Sequence, residues 1–435
     1  MPSRRFHGTI AQALEGGFFL HSWKKQFAII YAGQAFSLVG SAAVQFAIIW
    51  QLTVQTESAI TLTVAAIVGF IPNMVLGPFA GVWIDRCNRR TVMIAADGLV
   101  ALSSVALGVA YLQTAMPPVW FVYVILFLRG LGSTFHTPAM QAAIPMLVPQ
   151  DMLTKAGGWG SLISSLSNML GPVLGAALMG MFSIAPIMLV DIFGAAFAII
   201  CLLFVRIPDI PQSAEKPRVL SDMRLGFRAV RENRPLMAVF FPMVLCNVLF
   251  MPLGALYPLL VRTHFGGGAF ENSIVEFVFA GGLLVSSLAI GVWGGMKRRF
   301  LMVSLSICLL GLTSVASGLL PADAFWVFVA ICFVMGGTGT FINVPLMAYI
   351  QETTAPEVMG KVFSLLMSAM TLAMPVGLLA AGPVSEWIGV DKWFAYSGMG
   401  LLATGVICLV CTSRYDAPGT AGNLTRRPNS AREVK

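Results

Sequence analysis

The stretch that decides the fold is Gly77-Pro-Phe-Ala-Gly81-Val-Trp-Ile-Asp85-Arg86-Cys-Asn-Arg89-Arg90. It closes one long apolar run and opens another, and each run is long enough to cross hydrocarbon as a helix, which takes about 20 residues. Gly77 and Gly81 stand four apart on one helix face, where small residues let a second helix approach closely. Asp85 ends the helix, where a carboxylate can pair with an arginine or sit at a neighbouring helix's N-terminus. The stretch therefore reads as a short basic loop between two membrane spans.

The rest of the chain agrees. Of 435 residues, 57% are hydrophobic and only 11% charged, and the mean hydropathy is +0.83. A soluble domain carries about 25% charge. Twelve spans follow from the hydropathy, at 26–52, 62–84, 91–113, 118–140, 156–182, 185–206, 235–261, 273–295, 300–320, 324–350, 359–385 and 391–412. Outer-membrane barrels are excluded, because their strands read as short alternating segments of about ten residues. The fold class is an all-α integral membrane protein.

The formal net charge of +8 would fit nucleic acid, but its placement records topology instead. With the N-terminus inside, every Lys and Arg except Arg129, Arg262 and Lys392 falls on the cytoplasmic side, as the positive-inside rule requires. No nucleic-acid partner is expected. All nine Trp lie near span ends, where interfacial anchors sit. Residues 1–25 are polar and basic and show no small-residue cleavage site, so they read as a cytoplasmic segment and not a leader. The seven Cys lie in spans or at cytoplasmic ends, only Cys408 and Cys411 have CxxC spacing, and no metal cluster is expected.

Between spans six and seven, residues 207–234 form the longest connection. Within it, Leu225, Phe227 and Val230 are expected to face the bilayer while Arg224, Arg228 and Arg231 meet lipid phosphates. The linker separates two six-helix halves, 26–206 and 235–412, with a cytoplasmic tail at 413–435. An internal repeat supports the division. Gly81-Val-Trp before Arg89-Arg90 recurs as Gly291-Val-Trp before Arg298-Arg299. Thr134-Phe135, Pro138, Met140 and Lys155 recur as Thr340-Phe341, Pro345, Met347 and Lys361. Two parallel halves of this kind build a rocking transporter with its site between them.

The opening stretch resembles the signature loop GxxxDRxxRR of the major facilitator superfamily, with Gly81, Asp85, Arg86, Arg89 and Arg90 in place. The resemblance covers nearly the whole chain. The run from Asp85 to Asp97 and the run Arg129-Gly-Leu-Gly-Ser-Thr-Phe-His-Thr-Pro-Ala are most similar to macrolide-efflux-type drug antiporters, a branch that also holds siderophore exporters. The resemblance implies that the Asp85 cluster latches the cytoplasmic side and breaks when the transporter reorients. Gly158, Ser167, Gly171, Pro172 and Gly175 in span five are similar to the family's antiporter motif, with Ser167 standing for a glycine and Ala176 for another. The motif implies a kinked span with a tight face against span eight of the other half.

Ionisable residues at membrane depth are functional candidates by default. Arg129 matches the family's conserved-arginine position, which the resemblance links to proton coupling; a buried structural pair is the other reading. Asp97 is either tied to the latch or a proton carrier. Asp191 and Glu276 fall toward the outside, and Asp191, flanked by Leu189, Val190, Ile192 and Phe193, is the preferred carrier. His136 is a titratable candidate or a packing residue. Gln34, Asn247 and Asn343 either join helices or line a cavity, and Phe250, Tyr257 and Met370 would give that cavity an adaptable apolar wall.

The chain holds no GxxxxGK[ST] loop, so its energy must come from a gradient. The expectation is a non-enzymatic, cofactor-free, proton-driven exporter of an amphipathic drug-like substrate, a monomer in lipid in the plasma membrane, with both termini cytoplasmic. An exporter of a defined metabolite or siderophore, or a lysophospholipid flippase, would share the fold.

Overall fold

A computed structural model of the chain describes residues 5–205 and 219–415. Thirteen α-helices run through them: α1 (Arg5–Thr56), α2 (Ala59–Arg86), α3 (Arg89–Gln113), α4 (Val119–Leu147), α5 (Leu153–Met181), α6 (Ile184–Leu203), α7 (Val219–Glu232), α8 (Arg234–Thr263), α9 (Ala269–Trp293), α10 (Arg299–Leu319), α11 (Phe325–Thr353), α12 (Pro356–Ile388) and α13 (Val390–Thr412). All but α7 contain a stretch long and apolar enough to cross a membrane, twelve among the described residues. Helices are forced here, because hydrocarbon offers no partner for a backbone N–H or C=O.

The chain divides into two compact units. The first holds residues 1–55 and 65–217, the second 56–64 and 218–435. The second therefore takes in the tip of the α1–α2 hairpin as well as its own six spans. In the first unit α3 packs on α4 and α6, while in the second α10 packs on α11 and α13, and α9 on α11. Small residues permit these contacts. A Cβ at Gly130 of α4 would stand 2.1 Å from the Gly69 carbonyl oxygen of α2, and one at Gly336 of α11 would stand 2.0 Å from the Phe279 carbonyl oxygen of α9. Only glycine allows backbones this close, and the second unit repeats the device of the first.

Local chemistry fixes the helix ends. The Asn88 side chain caps α3 by accepting from the Thr91 amide at 3.2 Å. Asn233 caps α8 through the Leu236 amide, also accepts from the Tyr349 hydroxyl and donates to Thr353, tying the start of α8 to the end of α11.

Two expectations need correction. Trp23 and Trp50 are buried rather than interfacial, and Trp23 belongs to an apolar cluster with Tyr31, Ile84, Met93 and Leu147. Helix α7 does not lie with all three apolar residues toward lipid. Val230 is fully buried and α7 packs on α12 and α8, which leaves Leu225 and Phe227 exposed. A partner helix supplies the apolar cover that the bilayer was expected to give. The Arg224 side chain lies outside the described residues.

Candidate functional site

Within the first unit, α1, α3, α4 and α6 enclose two clusters of buried polar groups. In the first cluster the Arg129 guanidinium of α4 pairs with the Asp191 carboxylate of α6, and both are buried. The Ser41 hydroxyl donates to Asp191 Oδ1 at 2.5 Å and the Ser104 hydroxyl to Oδ2 at 2.7 Å. Arg129 also donates to Gln45 Oε1 at 3.1 Å, the Ser104 hydroxyl at 3.0 Å and the Ser41 carbonyl at 3.1 Å. Three donors thus reach the carboxylate, one at Oδ1 and two at Oδ2. A buried ion pair repays its desolvation only with this kind of extra hydrogen bonding.

The second cluster is incomplete. His136 Nε2 of α4 lies 3.5 Å from Asp97 Oδ1 of α3, within ion-pair range but beyond a good hydrogen bond. Asp97 Oδ2, His136 Nε2 and both polar atoms of Gln34 are buried without a hydrogen-bond partner, although the Gln34 amide on α1 faces the Asp97 carboxyl. Each such orphan costs about 1–3 kcal/mol.

These placements reorder the candidates. Asp97 belongs with His136 and Gln34, not with the basic loop. It stands seven residues past Arg90, about 10 Å along the helix. Arg89 donates to Met146 Sδ at 3.0 Å and Arg90 to the Leu203 carbonyl at 2.8 Å. Arg86 is exposed, and the side chain of Asp85 lies outside the described residues. Asp191 is not a solitary carboxylate but half of an ion pair.

In span five, Gly171 and Gly175 do form a tight face, but their nearest neighbours are on α1: a Cβ would meet Ala42 Cβ at 2.4 Å and the Ala43 carbonyl at 2.6 Å. Pro172 is buried between them. Ser167 is buried and bonds back to the Ile163 carbonyl, while a Cβ at Gly158 would meet no other element within 4 Å. An apolar groove of about 340 Å³ between α2, α3 and α4 is lined by Trp83, Val92, Leu99 and Phe135 and borders Ala96, next to Asp97.

The second unit carries the remaining candidates. Asn272 donates to Glu276 at 2.9 Å along α9. The Phe250 and Tyr257 rings both lie against Phe279, at centroid distances of 6.4 and 6.3 Å. Asn247 and Asn343 donate to backbone carbonyls four residues back on their own helices. Met370 is half-buried. Where the repeat aligns Met335 with Arg129, that methionine is buried and receives the Tyr257 hydroxyl at 3.7 Å.

Sequence reasoning missed a third group. Glu386 of α12 accepts from the Ala59 and Ile60 amides at 2.8 and 3.3 Å, capping α2, while Arg262 pairs with Glu57 at 3.0 Å. Its only sequence signal was an acidic residue at a span end, which reads as an ordinary boundary.

Known proteins share this architecture. The pattern of the Major Facilitator Superfamily matches residues 30–378. The chain is similar to "Macrolide efflux protein A" of Streptococcus pyogenes, 37% identical over 390 residues, 89% of this chain and 96% of that protein. It is also similar to "Multidrug efflux pump Tap" of Mycolicibacterium fortuitum, 26% identical over 398 residues, 88% of this chain and 93% of that one. Among solved structures, a bacterial homologue of the iron transporter ferroportin in an inward-facing state has a TM-score of 0.64 at 16% identity, with 90% of this chain and 99% of that chain covered. The chain is a multi-pass membrane transporter and belongs to the major facilitator superfamily.

Proposed function

We propose that this chain exports amphipathic, drug-like compounds of the macrolide type across the plasma membrane in exchange for protons, by alternating access with both termini cytoplasmic. The observation that carries the coupling is the buried ionisable set on α3, α4 and α6, Asp97, Arg129, His136 and Asp191. Charge is expensive at membrane depth, and the repeat in the second unit folds with Met335 where the first has Arg129, so the scaffold does not require it. Extended similarity to a macrolide efflux protein supports the cargo class.

The energetics are adequate. One proton crossing about 150 mV supplies roughly 3.5 kcal/mol, which sustains a gradient of about 300-fold in a neutral cargo. The test is drug susceptibility in a bacterial strain stripped of its own efflux pumps. Expression should raise the inhibitory concentration of macrolides several-fold, and a protonophore should return intracellular macrolide to the level of the empty strain. Unchanged susceptibility to a broad panel of amphipathic drugs would refute the cargo class.

A further inference from the structure

We infer that the proton is carried by the Asp97–His136 pair, with Gln34 as its third member, and that Asp191 is a permanent structural counter-ion to Arg129. The inference rests on the proton-coupled reading above and names its site.

The contrast in hydrogen bonding carries it. A proton carrier must exchange its proton in each cycle, so its surroundings have to accept both charge states. Asp191 is held in one: a guanidinium and two hydroxyls all donate to it. Protonating Asp191 would turn those donors against a neutral acid and leave Arg129 without its counter-charge. Asp97 faces the opposite situation. Its Oδ2 receives no close hydrogen bond, the His136 ring nitrogen reaches only to 3.5 Å of Oδ1, and the Gln34 amide, 1% exposed, faces the carboxyl without a close hydrogen bond at either of its polar atoms. An amide of this kind can donate to the carboxylate in one state and accept from the carboxylic acid in the other, after a rotation of its terminal torsion. His136 adds a second proton-accepting group 3.5 Å away.

The other charged and titratable groups on the surrounding helices are already engaged or lie a turn or more off. On α1, the Tyr31 hydroxyl donates to the Ala156 carbonyl at 3.2 Å. On α4 and α6, Arg129 and Asp191 satisfy each other, and on α3 Arg90 is bound to the Leu203 carbonyl. Cys201 of α6 sits against Gly33, beside Gln34, as a thiol. None of these supplies a fixed charge to the pair. Loading is the uptake of one proton from bulk water on one side of the membrane, and unloading is its loss on the other, with no bond to the cargo made or broken.

The experiment uses the full chain in proteoliposomes with a radiolabelled macrolide. Acid-inside vesicles with a gradient of one pH unit should let the wild type accumulate the macrolide about tenfold if one proton is exchanged. Asp97→Asn and His136→Gln should abolish that accumulation while macrolide counterflow, which needs no net proton movement, persists. In infrared difference spectra, the carboxylic-acid band that appears on acidification should be missing from Asp97→Asn. Where Asp97→Asn yields no folded protein, His136→Gln carries the same test. Driven accumulation that survives in both variants overturns the inference. So does counterflow lost in step with accumulation, the mark of a structural role, and so does coupling lost instead in Glu276→Gln. A wild type that exchanges macrolide yet ignores the pH gradient would overturn the proton-coupled reading itself, an outcome the variants cannot mimic.

Discussion

Helices α4 and α11 occupy equivalent places in the two units, yet one is built around charge and the other is not. Both make a glycine contact to their neighbour's backbone, Gly130 to Gly69 and Gly336 to Phe279. One residue before that glycine, α4 carries Arg129 paired with Asp191, whereas α11 carries Met335 between the hydroxyls of Tyr257 and Ser317. The shared contact shows what the scaffold needs. The difference shows what it does not need: a soft thioether stands where the other unit has a guanidinium with four partners.

The largest expected effect comes from breaking the charged version. Arg129→Ala strands the buried Asp191 carboxylate with two hydroxyl donors but no counter-charge and should lower stability by about 3–5 kcal/mol, the usual cost of removing one partner of a buried pair. Thermal unfolding of the purified protein in detergent checks this. Replacing both partners, Arg129→Met with Asp191→Leu, removes the buried charges altogether and should recover most of the loss. A double variant as unstable as Arg129→Ala would mean that the two units are not interchangeable scaffolds after all.

The next effect should be equal in the two units. Gly130→Ala and Gly336→Ala each push a methyl into a carbonyl oxygen at 2.1 and 2.0 Å, and the helices must separate to make room. Overpacking of this kind costs about 1–3 kcal/mol. The two melting temperatures should fall together. A drop in only one of them would show that the contact is structural in one unit and tolerant in the other.

These comparisons also explain what could be read before the structure. The spans, the basic loop and the repeat were legible because each is encoded by neighbours in sequence: a run of apolar residues, a glycine four from a glycine, a motif and its copy. Partnerships between helices were not. Asp97, His136 and Gln34 lie on three spans, and nothing in the spacing of Asp97 to Arg90 shows that α3 turns that carboxylate toward α1 and α4. The same holds for Ser41 and Ser104, whose hydroxyls look like any small residues at a helix interface until Asp191 arrives between them. Gly171 and Gly175 advertised a tight face from sequence alone, but not that Ala42 and Ala43 fill it.

The smallest effect concerns the tip of the α1–α2 hairpin, which clusters with the second unit. Two of its carboxylate contacts, those of Glu57 and Glu386, can be ranked by physical chemistry. Arg262 and Glu57 are both substantially exposed, so their pair is screened by water and salt and should contribute at most about 1 kcal/mol. Glu386 does more with one side chain. It accepts from two amides that α2 itself cannot satisfy, and it places a negative charge at the positive end of that helix. Glu386→Gln keeps an acceptor oxygen but removes the charge, so the loss should be about 0.5–1 kcal/mol rather than that of a deleted cap. Hydrogen exchange reads this directly. The Ala59 and Ile60 amides should exchange up to about fivefold faster in Glu386→Gln, more so in low salt, while Glu57→Gln leaves them nearly unchanged. Equal acceleration in both variants would show that the tip is held by general electrostatic attraction instead of by the cap on α2.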